Sequence, residues 1–324
     1  MFYMTSDITI GGLKKVKPAK VVWKTDVNGF IDTCTIELPR ISYLKNDKTN
    51  TEGQKVNDYL IQENDFVSVA LGYDGRNEKR FEGFVKRVNT GTPLQVECEG
   101  YSYQLYDVVF SKTYASTTVK ELLTDVCQGT IIKLADKIPH IPLSNVRFKN
   151  AGGLQVLEWL QKECKLAVYF NFNELYVGTK FGKLQNKVKL KLGWNTIKDD
   201  DFKQRKIDKT TKIVIKEKSG TGEVKKTPAD VEKYSNEKAV KIKQGFPADV
   251  LKDIANRLQT KSNYKGYEGG INCFLEPYMI KGMLVEVDGY RYPEKSGTFF
   301  IESIEGEFSK SGGRQNIKLT YVSP

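Results

Sequence analysis

The apolar and polar residues of the first hundred positions alternate with a period of two, which is typical of β-strands with one buried face. Glycine-containing turns such as Gly72–Gly75 separate the alternating segments. Short strands separated by such turns predict a β-barrel or a β-sandwich. The alternating segments are Val21–Trp23, Cys34–Leu38, Phe66–Leu71, Phe81–Val88 and Leu94–Cys98.

A helical period replaces the alternation after residue 111. Thr118 and Glu121 form a capping-box pattern, in which each side chain accepts a hydrogen bond from a free amide of the first helical turn. This pattern predicts a helix that ends at Gly129. Its predicted buried face consists of Val119, Leu122, Leu123 and Val126.

A second helix is predicted over about Leu154–Cys164, with Leu157 and Leu160 pointing inward. The two apolar segments Ala167–Phe170 and Leu175–Val177 follow it and predict a β-hairpin. Residues 112–178 are therefore expected to form a small α+β unit.

The strand pattern returns after residue 178. Lysine alternates with apolar residues over Lys187–Leu192, which predicts a strand whose lysines all face water. Pro247 suits the first position of a helix that extends to about Lys261, with a buried stripe at Leu251, Ile254, Ala255 and Leu258. Strands resume at Ile271. These patterns predict three regions, a first β-domain (1–111), an α+β insertion (112–178) and a second β-domain (179–324) with a helical insertion near 228–262.

The two predicted β-domains share an order of apolar landmarks. Phe66–Val69, Gly72–Tyr73, Phe84–Val85, Val88 and Leu94–Val96 occur in the first domain. The corresponding order in the second domain is Leu284–Val287, Gly289–Tyr290, Phe300–Ile301, Ile304 and Ile317–Leu319. This order predicts an internal duplication, with two similar β-barrels in one chain.

The charge of the chain is concentrated in one segment. The 324 residues carry a formal charge of +11, and residues 180–243 contain 19 Lys and Arg but only 9 Asp and Glu. A basic segment of this size fits a nucleic-acid partner. Strand alternation also explains many of its lysines as a solvated face. Both interpretations stay open at this stage.

The sequence contains no catalytic or ligand-binding signature. His140, the only histidine, lies between two prolines and is expected in an ordinary loop. Ser219–Gly222 is expected at the tip of a hairpin, and Asp199–Asp201 in a solvated loop. No catalytic, cofactor-binding or metal-binding residue is therefore predicted, and no enzymatic activity is expected.

The five cysteines are far apart and are expected to be reduced thiols of the core: Cys34, Cys98, Cys127, Cys164 and Cys273. No apolar segment is long enough for a membrane helix, and the first residues lack the pattern of a secretory signal. We expect a protein that is made in the bacterial cytoplasm and does not insert into a membrane.

Several segments resemble the late control protein D family, the baseplate hub proteins of contractile phage tails, which are related to the hub portion of the type VI secretion spike protein VgrG. The resemblance lies in the order of the pieces. Those pieces are Phe81–Val85, Val96–Tyr101, Ala151–Val177, Gly266–Gly269, Pro277 with Gly282, Gly297–Ile304 and Ser311–Gln315.

The resemblance implies two tail-tube-like β-barrel domains in each subunit and three subunits in a ring of six barrels. Such a ring adapts a sixfold tail tube to a threefold central spike within the virion baseplate, and its lumen is wide enough for DNA to pass without specific binding. It implies no cofactor, and the residues that face the partners stay unknown. Two alternatives remain, a nucleic-acid-binding protein that uses residues 180–243 and a tail-associated cell-wall hydrolase.

Overall fold

The computed structural model describes residues 3–45, 52–56, 60–181, 186–207, 210–218, 224–228, 235–242 and 246–322. The described part of the chain is mainly β, with three α-helices, as the alternation predicts. No helix among the described residues is long and apolar enough to cross a membrane.

The described residues of the first half of the molecule form eight strands. In the order β1-β6-β7-β8-β3-β2, six of them form one antiparallel arm of a sheet, and β4 pairs with β5 in a separate hairpin. Alternate residues of the arm bury one face in a common core that includes Ile36, Val69 and Val96. The strands are β1 (Met4–Ile10), β2 (Lys20–Asp26), β3 (Thr33–Leu38), β4 (Ile41–Lys45), β5 (Glu52–Val56), β6 (Phe66–Tyr73), β7 (Arg76–Asn89) and β8 (Leu94–Glu99).

The α+β unit follows, and its first helix has the predicted capping box. The Glu121 amide donates to the Thr118 hydroxyl, and the Thr118 amide donates to the Glu121 carboxylate. The predicted apolar face of this helix is fully buried, and the second helix and the hairpin also lie where the pattern places them. The elements are β9 (Val109–Thr118), α1 (Val119–Val126), β10 (Lys133–Leu134), β11 (Pro142–Gly152), α2 (Gly153–Lys162), β12 (Ala167–Asn171) and β13 (Glu174–Gly178).

The second half continues the same sheet. Its strands β22-β23-β20-β15 extend the arm of the first half, because β22 pairs with β2, and β21, β14 and β16 join them to complete 13 strands. Ile271, Val285 and Ile317 belong to a separate core in this half. The strands are β14 (Lys187–Lys191), β15 (Thr196–Lys198), β16 (Lys203–Gln204), β20 (Tyr267–Phe274), β21 (Leu284–Asp288), β22 (Gly297–Ser309) and β23 (Gly312–Thr320).

An insertion separates β16 from β20 and packs on the α+β unit. Ile215, Ile242 and Ile254 of the insertion share one hydrophobic core with Leu157 and Leu160 of α2. The predicted stripe of α3 is buried at Leu251, Ile254 and Ala255, while Leu258 is half-buried. Pro247 precedes the helix as its cap instead of taking the first helical position. The elements are β17 (Thr211–Lys218), β18 (Val224–Pro228), β19 (Asn236–Ile242) and α3 (Ala248–Asn263).

The two halves repeat one three-stranded meander with the same register. Phe66 of β6 faces Phe84 of β7, and Leu284 of β21 faces Phe300 of β22. The next strands correspond as well, because Val88 faces Val96 just as Ile304 faces Ile317. Val96 therefore corresponds to Ile317, whereas the sequence comparison pairs Leu94 with Ile317 and is two residues out of register.

Irregular features of the meander are repeated too. A β-bulge follows Val85 in β7 and Ile301 in β22. Asn64 and Gly282, both with left-handed φ angles (+71° and +87°), donate to the carbonyls of Val85 and Ile301 at 2.9 Å. A shared bulge and a shared left-handed residue are independent of hydrophobic alternation, and they support the duplication that the sequence predicts.

Candidate assembly surface

The seam between the two halves is an antiparallel pairing of β2 with β22 over seven residues on each strand. Two lysines of β2 form ion pairs with carboxylates of β22. Lys24 lies 2.5 Å from Glu305, and Lys20 lies 3.4 Å from Glu307. The contact is heterologous, since a strand of one half pairs with a different strand of the other half.

Trp23 anchors the seam in the core of the first half. Its indole is 2% exposed and lies directly opposite Gly306 of β22. A Cβ added at Gly306 would lie 2.0 Å from Cζ2 of Trp23, so the indole occupies the space that a side chain would need. Leu275 and Phe308 of the second half complete the same core. The hydrophobic core of one half therefore depends on the other.

The β6–β7 hairpin packs against the second half. Arg80 is 4% exposed; it donates to the carbonyl of Leu275 at 2.7 Å and stacks on the Tyr278 ring, 4.9 Å from its centre. Burial lowers the pKa of Arg80. At the tip of the hairpin, the Tyr73 hydroxyl donates to the carbonyl of Gly313 at 3.0 Å. These contacts fix the hairpin against β20 and β23.

A buried ion pair also joins the halves. The Lys281 ammonium lies 2.5 Å from Asp32 and donates to the Asp26 carbonyl at 3.2 Å. The side chains of Lys281 and Asp32 are only 3% and 11% exposed. Burial raises the pKa of Asp32 in spite of the lysine. A charge pair removed from water in this way depends on both partners being present.

A second charged cluster surrounds the bulge of β22. Glu302 lies in this bulge and forms ion pairs with Lys180 and, at 3.1 Å, with Lys318. Burial opposes the ionisation of Glu302, but the Lys180 charge and hydrogen bonds from Lys180, Asn28 and Lys318 outweigh it and lower the pKa to about 2. The cluster connects the end of the α+β unit to β22 and β23.

The lowered pKa of Glu302 predicts a loss of stability in acid. A pKa of about 2 in place of the ordinary 4.5 is worth on the order of 3 kcal/mol. This contribution is complete above pH 4.5 and is lost as the pH falls from there toward 2. Urea unfolding between pH 7 and pH 3 should therefore show a flatter pH dependence for Glu302→Gln than for the parent chain. Glu286→Gln, at the exposed Glu286–Lys187 pair, is the matched control, and an equal slope for Glu302→Gln and the parent would contradict the assignment.

Several stretches of sheet edge have no partner strand in the described part of the chain, among them the outer sides of β1 and β14, and two others matter here. One is the outer edge of β15 and β16, which pair only with β20. The other is the Arg87–Asn89 portion of β7 on the side of β6, because the pairing of β6 with β7 ends at Phe84. Unpaired edges expose backbone donors and acceptors and are natural sites for strand addition.

An aromatic patch occupies the turns that follow the parallel strands β14 and β21. We use this name for Trp194, Tyr290 and Tyr292, whose side chains occupy the turn before β15 and the turn between β21 and β22. Trp194 is 80% exposed, and Tyr290 is 72% exposed with Lys191 above its ring. Exposed aromatic residues grouped in this way are typical of protein–protein contact surfaces.

The structure places the individual candidates of the sequence in different elements, except that Cys34 of β3 faces Cys98 of β8. His140 is exposed in a loop, as expected. Asp199, Asp200 and Asp201 each form an ion pair with a different lysine. Ser219–Gly222 lies outside the described residues, although the strands β17 and β18 on either side pair antiparallel. All five cysteines are buried free thiols, as predicted.

The basic segment is divided between separate sheets. Lys187, Lys189 and Lys191 on β14 are exposed and alternate with Val188 and Leu190, which point inward, so the solvated face predicted for this strand is confirmed. Other lysines of the segment lie on β17 and β19 of the insertion, in a different sheet. The described residues of the segment therefore form no single basic strand face.

Sequence reasoning missed the buried charges of the seam. Lys281, Asp32, Arg80 and Glu302 have no neighbours in the sequence that distinguish them from exposed charges. Their partners lie 249 residues away for Lys281 and 195 for Arg80. The one local signal concerns Glu302: the apolar landmarks Ile301 and Ile304 are three residues apart, which breaks the alternation at the bulge of β22.

No protein-family model matches this sequence, and no curated protein matches it. Solved structures do match. The 43 kDa tail protein of prophage MuSo2 from Shewanella oneidensis superposes with a TM-score of 0.66 at 15% identity, with 98% of each chain covered. The tail protein from Neisseria meningitidis MC58 gives 0.66 at 12% identity, with 98% of this chain and 97% of that chain covered.

A type VI secretion component from E. coli, structurally similar to bacteriophage T4 tail proteins, gives a TM-score of 0.58 at 10% identity and covers 98% of this chain and 77% of its own. Identities this low establish a common fold and no more. The chain therefore has the fold of these prophage tail and type VI secretion proteins.

Proposed function

We propose that this chain is a structural baseplate hub protein of a phage or prophage contractile tail. Three copies form a ring that adapts the tail tube to the central spike. The fold shared with prophage tail proteins supports this role. The ring belongs to the tail baseplate of the virion, and its subunits are made in the bacterial cytoplasm.

The observation that carries the proposal is the repeated meander. Phe66 faces Phe84 in the first half, and Leu284 faces Phe300 at the equivalent position of the second half. A bulge follows at the equivalent residue of β7 and of β22. A chain with two equivalent halves presents six similar units in a trimer. Such a trimer can match sixfold symmetry on one side and threefold symmetry on the other.

The geometry of the seam favours a ring of copies over a twofold dimer. The β2–β22 contact joins two similar halves head to tail, and heterologous contacts of this kind generate rings when the rotation closes. Each copy has unpaired edges in both halves, and those at β15–β16 and at Arg87–Asn89 correspond to the two sides of the seam. One further head-to-tail contact per copy therefore suffices to close the ring.

The remaining features follow from this role. The tail tube and the tail spike are the partners, and DNA passes through the lumen without specific binding. The chain itself acts as a scaffold without enzymatic activity. We also propose the domain boundaries 1–111, 112–178 and 179–324 for the first β-domain, the α+β insertion and the second β-domain. The insertion within the second domain, expected near 228–262, is proposed to extend over β17–α3, residues 211–263.

The mass of the purified chain in solution tests this proposal. Light scattering coupled to size-exclusion chromatography should show a species of three times the 36.8 kDa of one chain, or that mass plus the bound spike when the spike protein is added. A chain that stays monomeric at high concentration, both alone and with the spike, would overturn the trimer.

A further inference from the structure

The first half docks on the second half with two elements, and the second half contains the equivalents of both. The elements of the first half are strand β2 and the β6–β7 hairpin. Lys24 of β2 faces Thr33 of β3, and Lys203 of β16 faces Glu268 of β20 in the equivalent position. Strands β15 and β16 therefore take the place of β2.

The core residue that precedes each of these lysines confirms the correspondence. Trp23 precedes Lys24 and is buried in the first core, whereas Phe202 precedes Lys203 and is buried in the second core. Both lysines are exposed. The two strands thus alternate in the same phase, with an aromatic residue inward and a lysine outward.

The hairpin of each half ends in the same Gly-Tyr pair, but its surroundings differ. Gly72 and Gly289 both lie against backbone of the chain that returns, because a Cβ would lie 1.8 Å from the carbonyl oxygen of Arg76 in β7 and 2.2 Å from that of Tyr292 in the turn before β22. The Tyr73 hydroxyl donates a hydrogen bond to the Gly313 carbonyl of the other half, whereas the side chain of Tyr290 is 72% exposed. The second hairpin therefore displays, with the aromatic patch, the surface that the first hairpin buries.

The receiving surface is duplicated as well. Strand β2 pairs with β22 from Ser303 to Ser309, directly after the bulge. The corresponding segment of β7 begins at Arg87 and has no strand on that side in the described residues. Glu305, which faces Asn316 of β23, corresponds to Asn89, which faces Gln95 of β8.

We infer that the outer edge of β16, from Lys203 to Arg205, pairs antiparallel with the Arg87–Asn89 edge of a second copy, and that the aromatic patch packs beside that contact. The seam inside the chain supplies the register, since Lys24 faces Glu305. In the contact between copies, Lys203 of one copy accordingly faces Asn89 of the next. This inference rests on the proposed ring and specifies the residues that close it.

The contact brings two arginines of neighbouring copies together, and nearby carboxylates offset their repulsion. The same register places Arg205 opposite Arg87 of the next copy, which alone would be unfavourable. Each arginine has a carboxylate on its own sheet, because Glu268 lies 3.6 Å from Arg205 and Glu97 faces Arg87 from β8. These carboxylates offset the repulsion across the contact.

Disulfide trapping in the full chain tests the register. Lys203→Cys combined with Asn89→Cys should give a covalent trimer on a non-reducing gel after mild oxidation, since each copy links to the next around the ring. A mixture of the two single variants should give no covalent species larger than a dimer. The five native cysteines are buried, so background cross-linking should be low. Lys203→Cys with Lys120→Cys, whose second site lies exposed on α1, is the control and should stay uncross-linked.

The outcomes separate this inference from the proposed function. A trimer in solution with a covalent trimer only in the Lys203/Asn89 variant would support both. A normal trimer without that cross-link, or with equal cross-linking of the control pair, would overturn the register and leave the ring intact. A chain that never trimerises would overturn both. Far-ultraviolet circular dichroism of each variant establishes that the cysteine substitutions leave the fold unchanged.

Discussion

Replacing Lys281 with methionine is expected to lower the free energy of unfolding by about 3 to 5 kcal/mol, because the substitution leaves the Asp32 carboxylate buried without its partner. Asp32 lies 2.5 Å from Lys281, and both side chains are almost inaccessible to water. Equilibrium unfolding in urea at pH 7 measures the loss. The deficit should shrink in acid, because burial raises the pKa of Asp32 and the neutral carboxyl costs less to bury.

Two controls distinguish this effect from a general sensitivity of the seam. The pair Lys24–Glu305 has the same 2.5 Å separation, but its side chains are 60% and 53% exposed. Lys24→Met should therefore cost at most about 1 kcal/mol. Adding Asp32→Asn to Lys281→Met should restore much of the lost stability. Equal losses for Lys281→Met and Lys24→Met would refute the view that burial gives the pair its importance.

The second large effect is expected at Trp23. Trp23→Ala removes a fully buried indole from the core that both halves share, and losses of about 3 to 5 kcal/mol are typical of such changes. Gly306→Ala in the parent chain should also destabilise, by about 1 to 3 kcal/mol, because the new Cβ collides with the indole.

A double-mutant cycle tests whether these two residues act on each other. In the Trp23→Ala background the space beside Gly306 is empty, so Gly306→Ala should then cost little, and the cycle should give a coupling of at least about 1 kcal/mol. Gly29→Ala is the control, because a Cβ at Gly29 meets no atom within 4 Å. Additive losses at Trp23 and Gly306 would show that the seam is not packed as described.

The sequence predicts much of the local structure because local structure depends on short-range patterns. The capping box of Thr118 and Glu121 and the buried face of α1 form as the spacing requires. The duplication is also visible in the sequence, as an order of apolar landmarks. The register predicted from the sequence is wrong by two residues at β23. Alternation with a period of two cannot distinguish Leu94 from Val96 as the residue equivalent to Ile317.

The long-range features are different, because nothing local encodes them. The pairing of β2 with β22 joins residues that are more than 270 positions apart, and it places Trp23 against Gly306. A shared hydrophobic core joins the insertion of the second half to the α+β unit. The candidate surface for assembly therefore had to come from the structure, although the Gly-Tyr pairs that mark it are present in the sequence.

End-on electron-microscopy images of the purified trimer would test the central claim most directly, which is that one chain supplies two equivalent units of a ring. Class averages should show six lobes around a central opening, with only threefold symmetry at the periphery, where the α+β units and the insertion differ between the halves. Three lobes without a sixfold inner ring, or an oligomer of twofold symmetry, would contradict the account.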